Sequence, residues 1–139
     1  MKALIINGPN LNMLGKRNQT HYGSLTLSEL NELIKKTYPS IDFEFVQSNS
    51  ESVLIDLLQT NDNYDFMLMN PGAFAHYSIA LRDAFEIVTK PKGICHLSDI
   101  RLREEFRHID LFEALADVYV KGLKEQSYLQ AIEMLTKKI

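Results

Sequence analysis

Arg17 and Tyr22 form the most suggestive pair in this sequence. A free phenol titrates near 10, so ionising one at pH 7 costs about 4 kcal/mol. A guanidinium close by favours the phenolate and offsets part of that. An arginine five residues before a tyrosine can fold back over it, which makes Tyr22 a candidate general base. Spacing alone also allows a tyrosine whose ring simply packs on its own loop. His76 and His96 come next. Neither has a His, Cys or carboxylate at metal-ligand spacing, which argues against zinc. Proton transfer or hydroxyl recognition is the functional reading; an ordinary satisfied imidazole is the alternative. Arg101, Arg103 and Arg107 flank Glu104-Glu105. They read either as a solvated charged turn or as Arg103 and Arg107 turned inward onto an oxygen-rich substrate.

These residues need a frame. Apolar runs alternate with helix-period segments. Ala3–Ile6, Ile41–Val46, Phe66–Met69, Lys92–Leu97 and Val118–Val120 read as strands. Thr26-Leu-Ser-Glu29 is a capping box opening a helix with Leu27, Leu30, Leu33 and Ile34 on one stripe. Ser50 caps a second helix, Ser78–Ile87 is a third, and Gln126–Lys138 is the last. Strand and helix repeat about five times. The expectation is an α/β, flavodoxin-like, doubly wound five-stranded parallel sheet in three layers, as one domain over residues 1–139.

In such sheets ligands bind beyond the carboxyl ends of the strands. Polar clusters follow successive strands here: Asn7 to Asn12, Ser48 to Asn49, Asn70 to His76, and His96 to Asp99. Residues of this kind also merely end strands, but their recurrence predicts one shared site. The stretch Asn10–Gly23 is long and polar. Connections beyond about 12 residues in compact domains tend to be lids or binding loops.

Composition narrows the chemistry. The net charge of −3 over 139 residues argues against nucleic acid as a partner. The single cysteine, Cys95, excludes an intrachain disulfide and a multi-Cys metal motif. No run approaches about 18 apolar residues, so no membrane span is expected. The opening MKALIINGPN is too short in its apolar part for a signal-peptide core, and a cytoplasmic protein is the expectation. Gly8 to Gly15 lacks both the Gly-Lys-Ser/Thr of a nucleoside-triphosphate loop and the spacing of a dinucleotide turn. Asn7 and Asn70 stand where a phosphorylated receiver would carry acids, and no Ser/Thr/Gly-rich flavin loop is present.

Taken together, several motifs resemble one family. Asn7-Gly-Pro-Asn-Leu-Asn-Met-Leu-Gly15, Arg17, Tyr22-Gly23 and Thr26-Leu27 are similar to the opening of the type II 3-dehydroquinate dehydratases (type II dehydroquinases). Gln47-Ser-Asn49, Asn70-Pro-Gly-Ala73, His76, Ala80-Leu-Arg-Asp-Ala84, His96-Leu-Ser98 and Arg103-Glu-Glu-Phe-Arg107 follow in order over nearly the whole chain. The resemblance implies cofactor-free anti elimination of water from 3-dehydroquinate, through an enolate, to 3-dehydroshikimate. It implies no metal and a homododecamer built as a tetramer of trimers. Tyr22 would take the C2 proton, with Arg17 as its activator. Asn10 would hold a water against the enolate oxygen, and His96 would protonate the leaving C1 hydroxyl. Asn70, Leu97 and Ser98 would take the carboxylate, and His76 and Arg107 the ring hydroxyls. Asp83 would reach a neighbouring subunit's site, and Arg103 would support the lid.

Three departures stand out. Asn18-Gln19 replace the family's usual Glu-Pro, so a looser lid is expected. Ser50 and Ser52 replace a His and a Gly. Ile94 stands where the family places a Glu that orients the imidazole, so either activity would be lower or that task would fall to a backbone carbonyl. These changes also admit a catalytically weakened relative that binds quinate-like ligands.

Overall fold

The computed structural model describes all 139 residues. The chain forms five strands and five α-helices, with only 3-10 turns between the fourth and fifth strands: β1 (Lys2–Asn7), α1 (Gln19–Tyr22), α2 (Leu27–Thr37), β2 (Asp42–Gln47), α3 (Glu51–Thr60), β3 (Phe66–Asn70), α4 (Ile79–Ile87), β4 (Lys92–His96), β5 (Val118–Lys121) and α5 (Glu125–Thr136). The strands form one parallel sheet in the order β2-β1-β3-β4-β5. This is the flavodoxin-like winding that the sequence pattern predicts.

Alternation along the strands explains the layers. Ala3, Ile5, Phe66, Leu68 and Cys95 point to one face and pack on α2 and α5. Leu4, Ile6, Met67, Met69 and Ile94 point to the other and pack on α3 and α4. A central strand buried on both faces must be apolar almost throughout, as β1 and β3 are.

Local signals set the helix starts. Thr26 and Glu29 form the reciprocal capping box, at 3.1 and 3.0 Å. Ser50 and Ser78 cap α3 and α4 by accepting from Val53 N–H and Leu81 N–H.

The stretch read as an open loop differs. It carries a short 3-10 turn at Leu11–Met13 and the single helical turn α1, which ends on Tyr22. Asn18, one of the departures, caps that turn: its side chain accepts from Thr20 N–H at 2.9 Å. The residue expected to loosen this segment instead starts a helix in it.

The exits of β1 and β3 run in backbone contact. Gly8 N–H donates to Asn70 O at 2.8 Å. A Cβ on Gly8 would sit 2.5 Å from Pro71 O, so only glycine fits. Gly72, at φ +59, lies against Pro9 from the other side. The two loops after the central strands are thereby joined at the foot of the site.

Candidate active site

The strand ends open into one cleft. Asn10, Arg17 and Tyr22 line it from the first connection, Asn70 and His76 from the third strand's exit, and His96, Leu97 and Ser98 from the fourth. Arg103 and Arg107 close it from the following loop. Ten of the eleven residues given a role from sequence thus meet in one place. The eleventh, Asp83, lies exposed on α4 and pairs with Arg82 at 2.9 Å, outside the cleft.

Tyr22 sits between two cations. The Arg17 guanidinium stacks on its ring, 3.7 Å from the centroid, and Arg103 lies 5.2 Å from it. Arg103 Nη1 donates to Tyr22 Oη at 2.8 Å and to Ser98 Oγ at 3.2 Å. Negative charge developing on Oη would meet a charged donor already in place. Arg101 points away and faces Glu113 across 3.8 Å. Glu104 spans Arg103 and Arg107, at 3.4 and 3.2 Å. Burial, with Arg103 and Arg107 near, lowers Arg17 from its ordinary value, against the pull of Tyr22. Three guanidiniums in one cleft of an acidic protein suit an anionic, oxygen-rich ligand.

Asn10 holds a left-handed backbone, φ 70, which asparagine tolerates better than most residues. Its N–H donates to Asn49 Oδ1 at 3.1 Å, and the same oxygen accepts from Gln47 Nε2 at 3.1 Å. The polar cluster after β2 therefore anchors the first loop from outside the cleft. Asn70 is almost fully buried. Its Nδ2 donates to Tyr128 Oη at 2.9 Å and its Oδ1 accepts from Gly72 N–H at 3.0 Å. Tyr128 Oη donates in turn to Asn7 Oδ1. One amide N–H of Asn70 remains for a ligand.

The two histidines lie face to face, with ring centroids 6.5 Å apart and planes at 15°. His76 Nδ1–H donates to Ile109 O at 2.8 Å, leaving Nε2 free. Burial holds His76 below the usual imidazole range, reinforced by His96 and Arg107 and opposed by the Ile109 carbonyl and Asp110. His96 Nε2 meets Asp110 Oδ2 at 2.6 Å. Asp110 has no exposed side-chain surface. Burial opposes its ionisation, but His96, Phe112 N–H and Tyr119 O–H outweigh that and keep it below the ordinary carboxylate range.

Asp110 corrects the expectation of a backbone carbonyl behind His96. Ile94 is wholly buried in the core, and a carboxylate from another loop stands at the imidazole instead. Asp110, Tyr119 and Tyr128 went unnoticed in the sequence. The missing Glu was itself a signal. It directs a search for a substitute acid, and only Asp110, Glu113 and Asp117 lie between the arginine cluster and β5.

Comparison with known proteins agrees with this geometry. The family model described as dehydroquinase class II matches residues 1–136. A 3-dehydroquinate dehydratase of Thermotoga maritima is 43% identical over 141 residues, covering 100% of this chain and 97% of that protein. The crystal structure of a type II dehydroquinase from Butyrivibrio crossotus superposes with a TM-score of 0.93 at 40% identity, covering 98% of this chain and 97% of that one. A type II dehydroquinase from Propionibacterium acnes gives 0.89 at 32% identity, covering 97% and 96%. A cleft at the carboxyl edge of a flavodoxin-like sheet, with Tyr22 between arginines and His96 on a carboxylate, and similarity along the full length converge: the chain belongs to the class II dehydroquinase family.

Proposed function

We propose that this chain is a 3-dehydroquinate dehydratase that removes water from 3-dehydroquinate by cofactor-free anti elimination, giving 3-dehydroshikimate for aromatic amino acid biosynthesis. The observation that carries this reading is Tyr22 Oη held by Arg103 at 2.8 Å, with Arg17 over the ring, in the same cleft as His96.

The C2 proton lies next to a ketone and becomes acidic as the enolate oxygen is stabilised. Tyr22 removes it as the phenolate, with Arg17 and Arg103 meeting the charge. Asn10 holds a water against the enolate oxygen. His96 gives a proton to the C1 hydroxyl, which leaves as water. The stabilised enolate oxygen takes the negative charge that a Schiff base would otherwise accept, so no lysine is needed. Asn70, Leu97 and Ser98 hold the carboxylate, and His76 and Arg107 the ring hydroxyls. The weakened-relative reading drew on Ile94 and on Asn18-Gln19; Asp110 at 2.6 Å from His96 speaks against the first ground, and the Asn18 cap on Thr20 N–H against the second.

A homododecamer, as a tetramer of trimers, belongs to the same proposal. Asp83 on α4 would then serve a neighbour's site. Apolar residues left on the surface support association: Tyr77 and Ile79 near α4, and Phe106 and Ile109 near the cleft, are all more than 60% exposed. Light scattering tests it, and a monomeric mass would overturn it. A cytoplasmic location is proposed as well, supported by the single free thiol of Cys95, which suits a reducing compartment.

The activity is tested by incubating purified protein with 3-dehydroquinate and following the ultraviolet absorbance of the product enone. Folded protein with no turnover would end the proposal.

A further inference from the structure

Every partner of Asp110 is a donor. Its Oδ1 accepts from Phe112 N–H at 2.8 Å, and its Oδ2 accepts from Tyr119 Oη at 2.8 Å. Tyr119 is held protonated, because burial and the adjacent carboxylate drive its ionisation far out of reach. A carboxylate can only accept. The remaining bond at Oδ2, to His96 Nε2 at 2.6 Å, therefore fixes the hydrogen on Nε2. His96 Nδ1 makes no hydrogen bond within the protein and opens on the cleft that His96 lines.

The placement of these groups follows from the sheet. Ile94 and His96 are two apart on β4 and share one face. Ile94 pairs in register with Tyr119 of β5, and its side chain packs in the same apolar cluster as Phe112. Phe112 is fully buried two residues after Asp110, so it pins the backbone that delivers the carboxylate. Tyr119 packs edge-on against the His96 ring, with centroids 6.0 Å apart at 67°, and holds Asp110 from the opposite strand. The loop before β5 thus brings its acid to the imidazole over a strand position that carries no charge.

We propose that Asp110, braced by Tyr119 and the Phe112 amide, is the positioning residue that locks His96 as the Nε2–H tautomer and makes Nδ1 the nitrogen that delivers the proton to the leaving hydroxyl. The proposal rests on the dehydratase reading for the identity of that hydroxyl, though not for the tautomer. In the catalytic step Nδ1–H of the imidazolium breaks as the hydroxyl oxygen gains the proton and the C1–O bond cleaves. The ring returns to the neutral Nε2–H form, with Asp110 charged throughout. A buried, ionised partner at 2.6 Å occupies Nε2 and leaves only one nitrogen free to act.

Two measurements test it. Long-range proton–nitrogen NMR on the unmodified protein at a pH where His96 is neutral should show Nε2–H; an Nδ1–H tautomer at His96 overturns the proposal whether or not any variant folds. In kinetics, Asp110→Asn should lower kcat roughly 100-fold, the scale of one general acid, while KM stays near that of the unmodified enzyme. Asp110→Glu should recover part of the loss, and Tyr119→Phe should lower kcat less than Asp110→Asn does. A folded Asp110→Asn protein with unchanged kcat overturns the proposal, as does a fall that only tracks lost thermal stability. Unmodified protein with no turnover but a fixed Nε2–H tautomer would refute the dehydratase reading and leave the pairing intact.

Discussion

Asn70 and Tyr128, 58 residues apart in the chain, share a buried hydrogen bond of 2.9 Å that ties the floor of the cleft to the first turn of α5. The Tyr128 hydroxyl has two asparagine partners, Asn7 and Asn70, at the adjoining ends of β1 and β3. Tyr128→Phe would keep the ring packing and strand both amides in a dry setting. Leaving buried polar groups unpaired costs about 1–3 kcal/mol. Calorimetry should show a melting temperature several degrees lower. Because Asn70 loses its anchor, KM should rise while kcat holds.

Tyr22→Phe removes one oxygen from the base position. The ring keeps its stack on Arg17, and the lost bond is the one from Arg103. Turnover should fall by roughly 10³-fold, within the range of general-base catalysis. The melting temperature should stay near that of the parent, since Tyr22 is only half-buried. A steady-state assay beside a melting curve separates the two effects. Activity within tenfold of the parent would remove Tyr22 from the base role.

Arg103→Lys keeps a positive charge but is shorter and lacks the rigid guanidinium whose Nη1 donates to both Tyr22 Oη and Ser98 Oγ. The expected result is a fall in kcat of about tenfold or more with a retained fold, as a flexible ammonium on a shorter reach does not hold its donors at that point. Arg101→Lys, on an outward-facing arginine, is the control and should leave turnover unchanged.

Acid should destabilise the protein in two stages. His76 is held below 6.5 when folded, chiefly by burial. The unfolded chain therefore takes up that proton first, and the stability His76 contributes is lost as pH falls from about 6.5 through the folded-state value. Asp110 is also depressed, so its contribution is lost only below the ordinary carboxylate range. Urea midpoints measured from pH 7 down to pH 5 should decline, and His76→Asn should flatten that decline. A slope unaltered by the substitution would assign the effect to other groups.

The sequence was legible where interactions are short in range. Thr26 with Glu29, Ser50 and Ser78 announce their helices because each cap acts within three residues. The strands were legible because two-sided burial leaves little but apolar residues. The meeting of Arg17, Tyr22, His76 and His96 was legible because the fold class sends every strand end to one edge. What stayed hidden depends on long separations. Arg103 reaches Tyr22 across 81 positions, and Asp110 reaches His96 from a loop of short 3-10 turns with no periodicity. Neighbouring acids Glu113 and Asp117 look equally eligible on paper, and only the buried anchor of Phe112 selects Asp110. Asn18 misled for the opposite reason, since a residue that departs from a motif can still cap a turn.

The contact between Gly8 and the Asn70-Pro71 backbone has a consequence for how this site can change over generations. The segment that carries Asn10 and the segment that carries Asn70 are fused by a hydrogen bond and by a gap too small for one methyl group. A lengthened or reshaped first loop would displace the second, so the two loops are inherited as one part. New specificities should therefore arise more readily from the far wall of the cleft, around Ile100 and Arg107, where no such clasp limits what substitution can try.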